Sequence, residues 1–125
     1  MRLIVDTNAW IELFKDSPQG LRAKKLIGEN ECYTSIVSLA EIAKWCVREG
    51  KNVEFYLHGI KQTTTVLELN EEIAVSAGLH NYERSSKSRD WGLIDSMIYA
   101  TALYHGLTVL TGDKHFQDLP SVEML

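Results

Sequence analysis

The chain opens on an apolar run, Leu3-Ile4-Val5, that stops at a carboxylate, Asp6. A short run without alternation, rich in β-branched residues, predicts a strand covered on both faces, as in a parallel sheet. Asn8 predicts the N-cap of a helix from Ala9 to Lys15, with Trp10, Ile11 and Phe14 as its apolar stripe. Ser17-Pro18 predicts a second helix start, carrying Leu21, Ala23, Leu26 and Ile27 inward and stopping near Gly28. Cys32-Tyr33-Thr34 predicts a second strand. A helix from Leu39 to Glu49 follows, with Leu39, Ile42, Ala43, Cys46 and Val47 on its inner face and Gly50 as its stop. Val53 to Ile60 predicts a short helix broken at Gly59, and Thr63 to Leu67 a third strand. Asn70 predicts the cap of a helix from Glu71 to about Glu83, with Ile73, Ala74, Ala77 and Leu79 facing in, and the basic stretch Arg84 to Arg89 a loop. Trp91 to His105 is the longest and most apolar helical stretch, closed by Gly106. Thr108 to Thr111 predicts a fourth strand, Gly112 to Pro120 a loop with one helical turn, and Val122 to Met124 a last strand. Strands alternating with helices predict an α/β fold with a mainly parallel sheet.

Composition narrows the function classes. A chain of 125 residues fits one domain and buries enough surface to fold without a disulfide or a structural metal. Hydrophobic residues make up 45% and charged residues 24%, as in a water-soluble globular protein. A net charge of −4 argues against nucleic-acid binding through a broad basic face, but not against a nuclease whose acids hold a cation. Cys32 and Cys46 lie in apolar surroundings with no zinc-ligand spacing, which predicts buried free thiols in a reducing compartment. Asp6 and Glu12 interrupt the apolar start, and no stretch reaches the ~20 apolar residues that span a membrane. A cytoplasmic protein is expected.

Four acids then change the picture. Asp6 ends a buried strand, on the sheet edge where open α/β folds keep their chemistry. Glu41 sits between Ala40 and Ile42, Asp95 between Ile94 and Ser96 in the most apolar helix, and Asp113 after Val109-Leu110-Thr111-Gly112. Each also has a purely structural account. Ser38-Leu39-Ala40-Glu41 reads as a capping box, Asp95 as an anion at a helix start, and Gly112-Asp113 as a turn. Taken together, buried carboxylates need partners, and Lys44 and Lys114 are too few for four acids. Oxygen ligands select a hard divalent cation, Mg²⁺ or Mn²⁺.

Four segments carry a resemblance over nearly the whole chain: Val5-Asp6-Thr7-Asn8, Ser35-x-x-Ser38-x-x-Glu41, Asp95-Ser96-Met97-Ile98-Tyr99-Ala100-Thr101-Ala102, and Leu110-Thr111-Gly112-Asp113-Lys114-His115-Phe116. In that order and spacing the sequence resembles a PIN-domain ribonuclease, and its compact length resembles the VapC-type toxins of toxin–antitoxin pairs. The resemblance implies one PIN domain over residues 1–125, a three-layer α/β/α fold and strand order 3-2-1-4-5. It implies Mg²⁺ or Mn²⁺ held by Asp6, Glu41, Asp95 and Asp113, cleavage of RNA phosphodiester bonds, an antitoxin partner and a homodimer. Thr111 matches a hydroxyl that supports the last acid, Asn8 a polar position after the first, and Ser38 a helix-start hydroxyl able to orient Glu41. His115 falls where the family often has an acid, and neither it nor Asp118 receives a role. Lys87, Arg89 and Lys114 are candidate contacts to an RNA backbone, or solvated loop charges. Trp45, Phe55 and Tyr56 are candidate dimer contacts, although aromatics near helical spacing also build cores.

Two further readings stand beside this one. A PIN fold outside a toxin–antitoxin pair could process or bind RNA. A haloacid-dehalogenase-like phosphatase would also start with a strand ending in Asp, but it needs an acid where this chain has Asn8. A receiver domain would need an Asp ending the third strand, where this chain has Val66-Leu67-Glu68.

Overall fold

The first strand, β1 (Arg2–Val5), lies at the centre of a five-stranded sheet. The structure is a computed structural model that describes all residues, Met1–Leu125. The elements follow in the order α1 (Thr7–Phe14), α2 (Pro18–Glu29), β2 (Glu31–Ser35), α3 (Ile36–Arg48), α4 (Val53–Thr63), β3 (Thr65–Leu67), α5 (Glu71–Ser85), α6 (Leu93–His105), β4 (Thr108–Thr111) and β5 (Val122–Met124). The strand order is β3-β2-β1-β4-β5, and every pairing is parallel. The α/β fold and the strand order 3-2-1-4-5 are as the sequence and its resemblance imply.

The pleat of β1 divides the core. Leu3 and Val5 point to one face, where Trp10 of α1, Ile27 of α2, Trp45 of α3 and Ile60 of α4 cover them. Ile4 points to the other, against Ile98, Tyr99 and Ala102 of α6, with Trp91 and Phe116. Period-2 alternation thus makes three layers from a strand that reads as uniformly apolar. Leu3, Ile4 and Val5 are all fully buried. At α6 the chain stops on Gly106, whose φ of 65° is the left-handed conformation that glycine adopts without a Cβ clash. No helix is long and apolar enough to cross a membrane.

Several local expectations are corrected. Leu21, Val47, Ala74 and Leu79, expected to face inward, are exposed, because each lies on the solvent side of its helix. Asn8 does not cap α1: the cap position is Asp6, which makes no side-chain capping bond, and Asn8 lies inside the helix. The capping box at Ser38 and Glu41 does not form. The helix starts earlier, at Ile36, because Ser35 caps it by accepting a hydrogen bond from the Val37 N–H. Gly28 and Gly59 do not end their helices, since a mid-helix glycine costs only about 1 kcal/mol when packing favours the helix. Thr63 closes α4 rather than starting β3, and Trp91 precedes α6 instead of lying in it. Of the three candidate dimer aromatics, Trp45 is buried, and Tyr56 packs edge-on against it and Phe14. Only Phe55 is exposed, at 70%. Cys32 and Cys46 are free and buried.

Candidate active site

Parallel pairing of β1 with β4 puts the two strand ends side by side, Val5 opposite Leu110. Asp6 therefore emerges beside Thr111, across a sequence separation that only the fold closes. The Thr111 hydroxyl donates to Asp6 Oδ2 at 2.7 Å and accepts from the Asp113 N–H at 3.0 Å. Asn8, freed from capping, accepts from the Gly112 N–H at 2.8 Å. A Cβ there would stand 2.9 Å from Asn8 Oδ1 and 2.7 Å from Gln19 Oε1, so a side chain at this position would push both side-chain ends aside and disturb the Asn8 bond. The start of α1 and the end of β4 are tied at both residues.

The remaining acids are fixed by neutral donors. Glu41 projects from α3 toward α1, where the Thr7 hydroxyl donates to its Oε1 at 2.5 Å. The same hydroxyl lies 2.9 Å from Ser38 Oγ, so Ser38 reaches the acid through Thr7. Asp95, in the first turn of α6, accepts from the Gly92 N–H at 2.9 Å. Asp113 Oδ1 accepts from the His115 N–H at 2.9 Å and lies 2.7 Å from His115 Nδ1. In all four acids one oxygen is tied by a hydroxyl, a backbone N–H or an imidazole, and the second takes no hydrogen bond from the protein.

Burial and mutual charge act together on this group. Asp6 is 3% exposed, and its carboxyl is pushed up to about 7. Burial is the main cause, Thr111 opposes it, and the charges of Asp95, Glu41 and Asp113 add to it. Asp95 is also raised, chiefly by burial, with the Gly92 bond opposing and Asp113 and Glu41 adding. Asp113 in turn holds the His115 imidazole above its ordinary range. Neither lysine nor arginine forms an ion pair with Asp6, Glu41, Asp95 or Asp113. As the side chains stand, no three His, Cys, Asp or Glu groups converge at metal-binding distance. The charges of Glu41 and Asp113 nonetheless reach both Asp6 and Asp95, and the open oxygens of the four acids are the hard donors that suit Mg²⁺ or Mn²⁺. The donor set fits such an ion.

A model of the PIN domain matches residues 3–122. The chain belongs to the PIN-domain family. Among curated protein sequences nothing matches. Among solved structures, this PIN domain is similar to a toxin–antitoxin complex from Klebsiella pneumoniae, with 22% identity and a TM-score of 0.79 over 98% of this chain and 96% of that one. It is similar to VapBC-1 from nontypeable Haemophilus influenzae, with 25% identity and a TM-score of 0.72 over 100% and 97%. It is also similar to VapC20 of Mycobacterium tuberculosis, a toxin that cleaves the Sarcin-Ricin loop, with 16% identity and a TM-score of 0.76 over 94% and 95%.

Of the candidate RNA contacts, Lys87, Arg89 and Lys114 are all exposed. Lys114 directly follows Asp113, while Lys87 lies near Asp118. Sequence reasoning missed a groove of about 410 Å³ beside Glu41, lined by Thr7, Ile11, Lys44, Trp45, Arg48 and Ile94. The i, i+4 spacing of Lys44 and Arg48 on the helix of Glu41 was the available signal. It also missed Thr7, which the one-residue offset from Asp6 hides, because adjacent residues on a helix do not share a face. Asp118 proves to be structural. Arg84, packed 5.0 Å over the Trp91 ring, donates to both Asp118 oxygens and to the His115 carbonyl.

Proposed function

We propose that this PIN domain, residues 1–125, is a Mg²⁺- or Mn²⁺-dependent ribonuclease and the toxin of a toxin–antitoxin pair. One observation carries the reading. Four acids, two on helices and two just past the ends of central strands, keep an oxygen free of protein hydrogen bonds around a buried Asp6, with no lysine or arginine to neutralise them. A structural cluster would be expected to pair its acids with cations, because unpaired buried charge costs several kcal/mol.

Asp6, Glu41, Asp95 and Asp113 would hold the ion. When bound, it supplies the positive charge and Lewis acidity that phosphodiester hydrolysis requires. Thr111 and Thr7 fix the Asp6 and Glu41 carboxylates while leaving their charge intact. The groove with Lys44 and Arg48 leads to Glu41 and offers backbone phosphates a cationic track. Lys114, next to Asp113, extends it on the other side. Lys87 and Arg89, exposed in the loop before α6, are further candidate contacts to the RNA backbone.

The likeness to VapBC complexes supports an antitoxin partner, and the family resemblance supports a homodimer acting in the cytoplasm. The deciding experiment incubates the protein with RNA and with a phosphomonoester, in Mn²⁺, in Mg²⁺ and in chelator. RNA cleavage should require metal and vanish in Asp6→Asn and Asp95→Asn protein. Undiminished cleavage by Asp6→Asn protein would refute the reading, and phosphomonoester turnover would favour the phosphatase. Co-expression with any small reading frame encoded beside it should restore growth if the pair is a toxin and antitoxin. Cleavage without toxicity would leave an RNA-processing PIN protein.

A further inference from the structure

The groove beside Glu41 is walled by neighbours of the acids as well as by one of them. Thr7 follows Asp6, Ile94 precedes Asp95, and Glu41 lies in the wall itself. A phosphate held at the acids therefore leaves its adjoining nucleoside at the mouth of this groove. Half of the lining is apolar, from Ile11, Ala40, Trp45 and Ile94, and the volume of about 410 Å³ is that of a small-ligand pocket. Two cations complete the wall, and neither is spent on an acid of the site. Lys44 stands one turn after Glu41 on the same face of α3, yet Glu41 Oε1 takes the Thr7 hydroxyl and Lys44 forms no ion pair. Arg48, one turn further on, has only the exposed Glu49 carboxylate, at 3.9 Å.

Resting on the ribonuclease reading, we propose that this groove is a subsite for one unpaired RNA base beside the scissile phosphate, and that Lys44 selects a base with carbonyl acceptors on its edge, guanine or uracil. Apolar walls suit the faces of a base, and the cations suit the chain of phosphates that carries it. A paired base cannot enter. The A-form duplex keeps its base edges in a deep, narrow groove, whereas an unpaired base can be splayed out of the strand and read.

The choice of base follows from the donors on the wall. An ammonium and a guanidinium donate only. The Thr7 hydroxyl already spans Glu41 and Ser38, and the open oxygen of Glu41 is turned to the ion. Guanine offers O6 and N7 to such donors and uracil offers O4, whereas the amino groups of adenine and cytosine find no acceptor. Lys44, nearer to Glu41, meets the base edge, and Arg48 holds the backbone beyond it.

The test is fluorescence anisotropy of Asp6→Asn protein, which on the ribonuclease reading binds RNA without cutting it. Labelled stem-loop RNAs carry guanine, uracil, adenine or cytosine at one position, in a loop otherwise of adenines or in the stem. In the loop, guanine and uracil should bind about fivefold tighter than adenine and cytosine, and in the stem the preference should vanish. Ala40→Leu, which fills the groove from an exposed position, should weaken loop binding about tenfold and abolish the preference, whereas Ala40→Ser should keep both. Lys44→Gln adds an acceptor at an exposed position and should bring the four bases within about twofold, whereas Arg48→Gln should weaken all four alike. The groove variants, made in otherwise native protein, should keep its Mn²⁺ affinity. Equal binding of the four loop bases, or a preference that survives both Ala40→Leu and Lys44→Gln, overturns the subsite and leaves the ribonuclease reading standing. Ala40→Leu protein that loses a dimer and keeps its RNA affinity overturns it too, and gives the groove to a second copy of the chain. RNA that the native protein does not cut and no variant binds overturns both readings.

Discussion

Asp6 makes the metal-free protein sensitive to pH, and one substitution measures by how much. In the unfolded chain an aspartate ionises near 3.9. In the folded chain Asp6 is pushed up to about 7. A carboxyl raised in this way contributes its full stability only below the unfolded value and loses it as pH rises through the folded one. Between about pH 5 and about pH 8.5 the unfolded side chain is ionised throughout, while the folded one holds its proton up to about 7. About two units at 1.36 kcal/mol each gives a loss of about 3 kcal/mol from Asp6 alone. Asp6→Asn removes the titration and keeps an acceptor for the Thr111 hydroxyl. Urea unfolding of both proteins in chelator at the two pH values isolates the effect, because groups common to both cancel in the difference. The native protein should lose about 3 kcal/mol relative to Asp6→Asn, on the order of 10 °C in Tm for a chain of this size. Mn²⁺ at about a hundred times its Kd should return about 2.7 kcal/mol to the native protein and much less to the variant. Parallel pH curves, or a variant that is the less stable of the two at high pH, would refute the burial and neighbouring charge that together push Asp6 up.

The other predictions concern positions that hold the site in place. Gly20→Ala should destabilise by about 3 kcal/mol in urea, because its Cβ would overlap the Glu12 carbonyl and lie 2.8 Å from Leu13 Cα, where α1 and α2 meet; a change below 1 kcal/mol would contradict that close approach. Arg84→Lys should cost about 1–2 kcal/mol, since an ammonium cannot reproduce the fork that meets Asp118 and the His115 carbonyl together; equal urea midpoints would show the fork to be idle. Thr7→Val should weaken Mn²⁺ binding about tenfold or more with little loss of stability, whereas Thr7→Ser should keep it; unchanged affinity in Thr7→Val protein would show that Glu41 needs no orienting hydroxyl. Light scattering should give a mass twice the 14.2 kDa of one chain, and a monomer at high concentration would refute the dimer.

Local signals reach as far as local physics does. Leu3-Ile4-Val5 betrays a buried strand because both faces are apolar, and Gly106 betrays a helix end because its φ is positive. Asn70 caps α5 as expected, its Oδ1 accepting from the Ile73 N–H. Caps failed where two candidates lay close together. Asn8 and Ser38 have capping side chains, but Asp6 and Ser35 precede them and take the cap positions, which releases both to cross-chain contacts. Trp45 and Tyr56 were ambiguous for a related reason. A tryptophan at helical spacing fits a core and an interface equally, and only the stacking of Phe14 against Trp45, with rings 6.1 Å apart, resolves it. The acids were legible as misplaced charges. Thr111 was legible as a supporting hydroxyl, but Thr7 was not, because it reaches Glu41 only through the fold and is not unusual in its local sequence.

The choice of those partners has a physical logic. An acid meant only to stabilise would be paired with a lysine or arginine, and the pair would neutralise it. A threonine hydroxyl or a backbone N–H orients a carboxylate and leaves its charge available. Such an arrangement is unfavourable in the absence of a cation, so something else must hold it. Here the same atoms do both jobs. Thr111 grips Asp6 and the Asp113 N–H, and Asn8 grips Gly112, so the bonds that aim the acids also fasten α1 to β4. These ties lie directly above Val5, Val109 and Leu110, all fully buried at the centre of the sheet. Unfavourable charge is therefore placed where the surrounding apolar burial is densest. At an edge strand or on a mobile loop the same four acids would relieve their repulsion by moving apart. For Asp6, tied to Thr111 between two central strands, that movement would have to break the sheet.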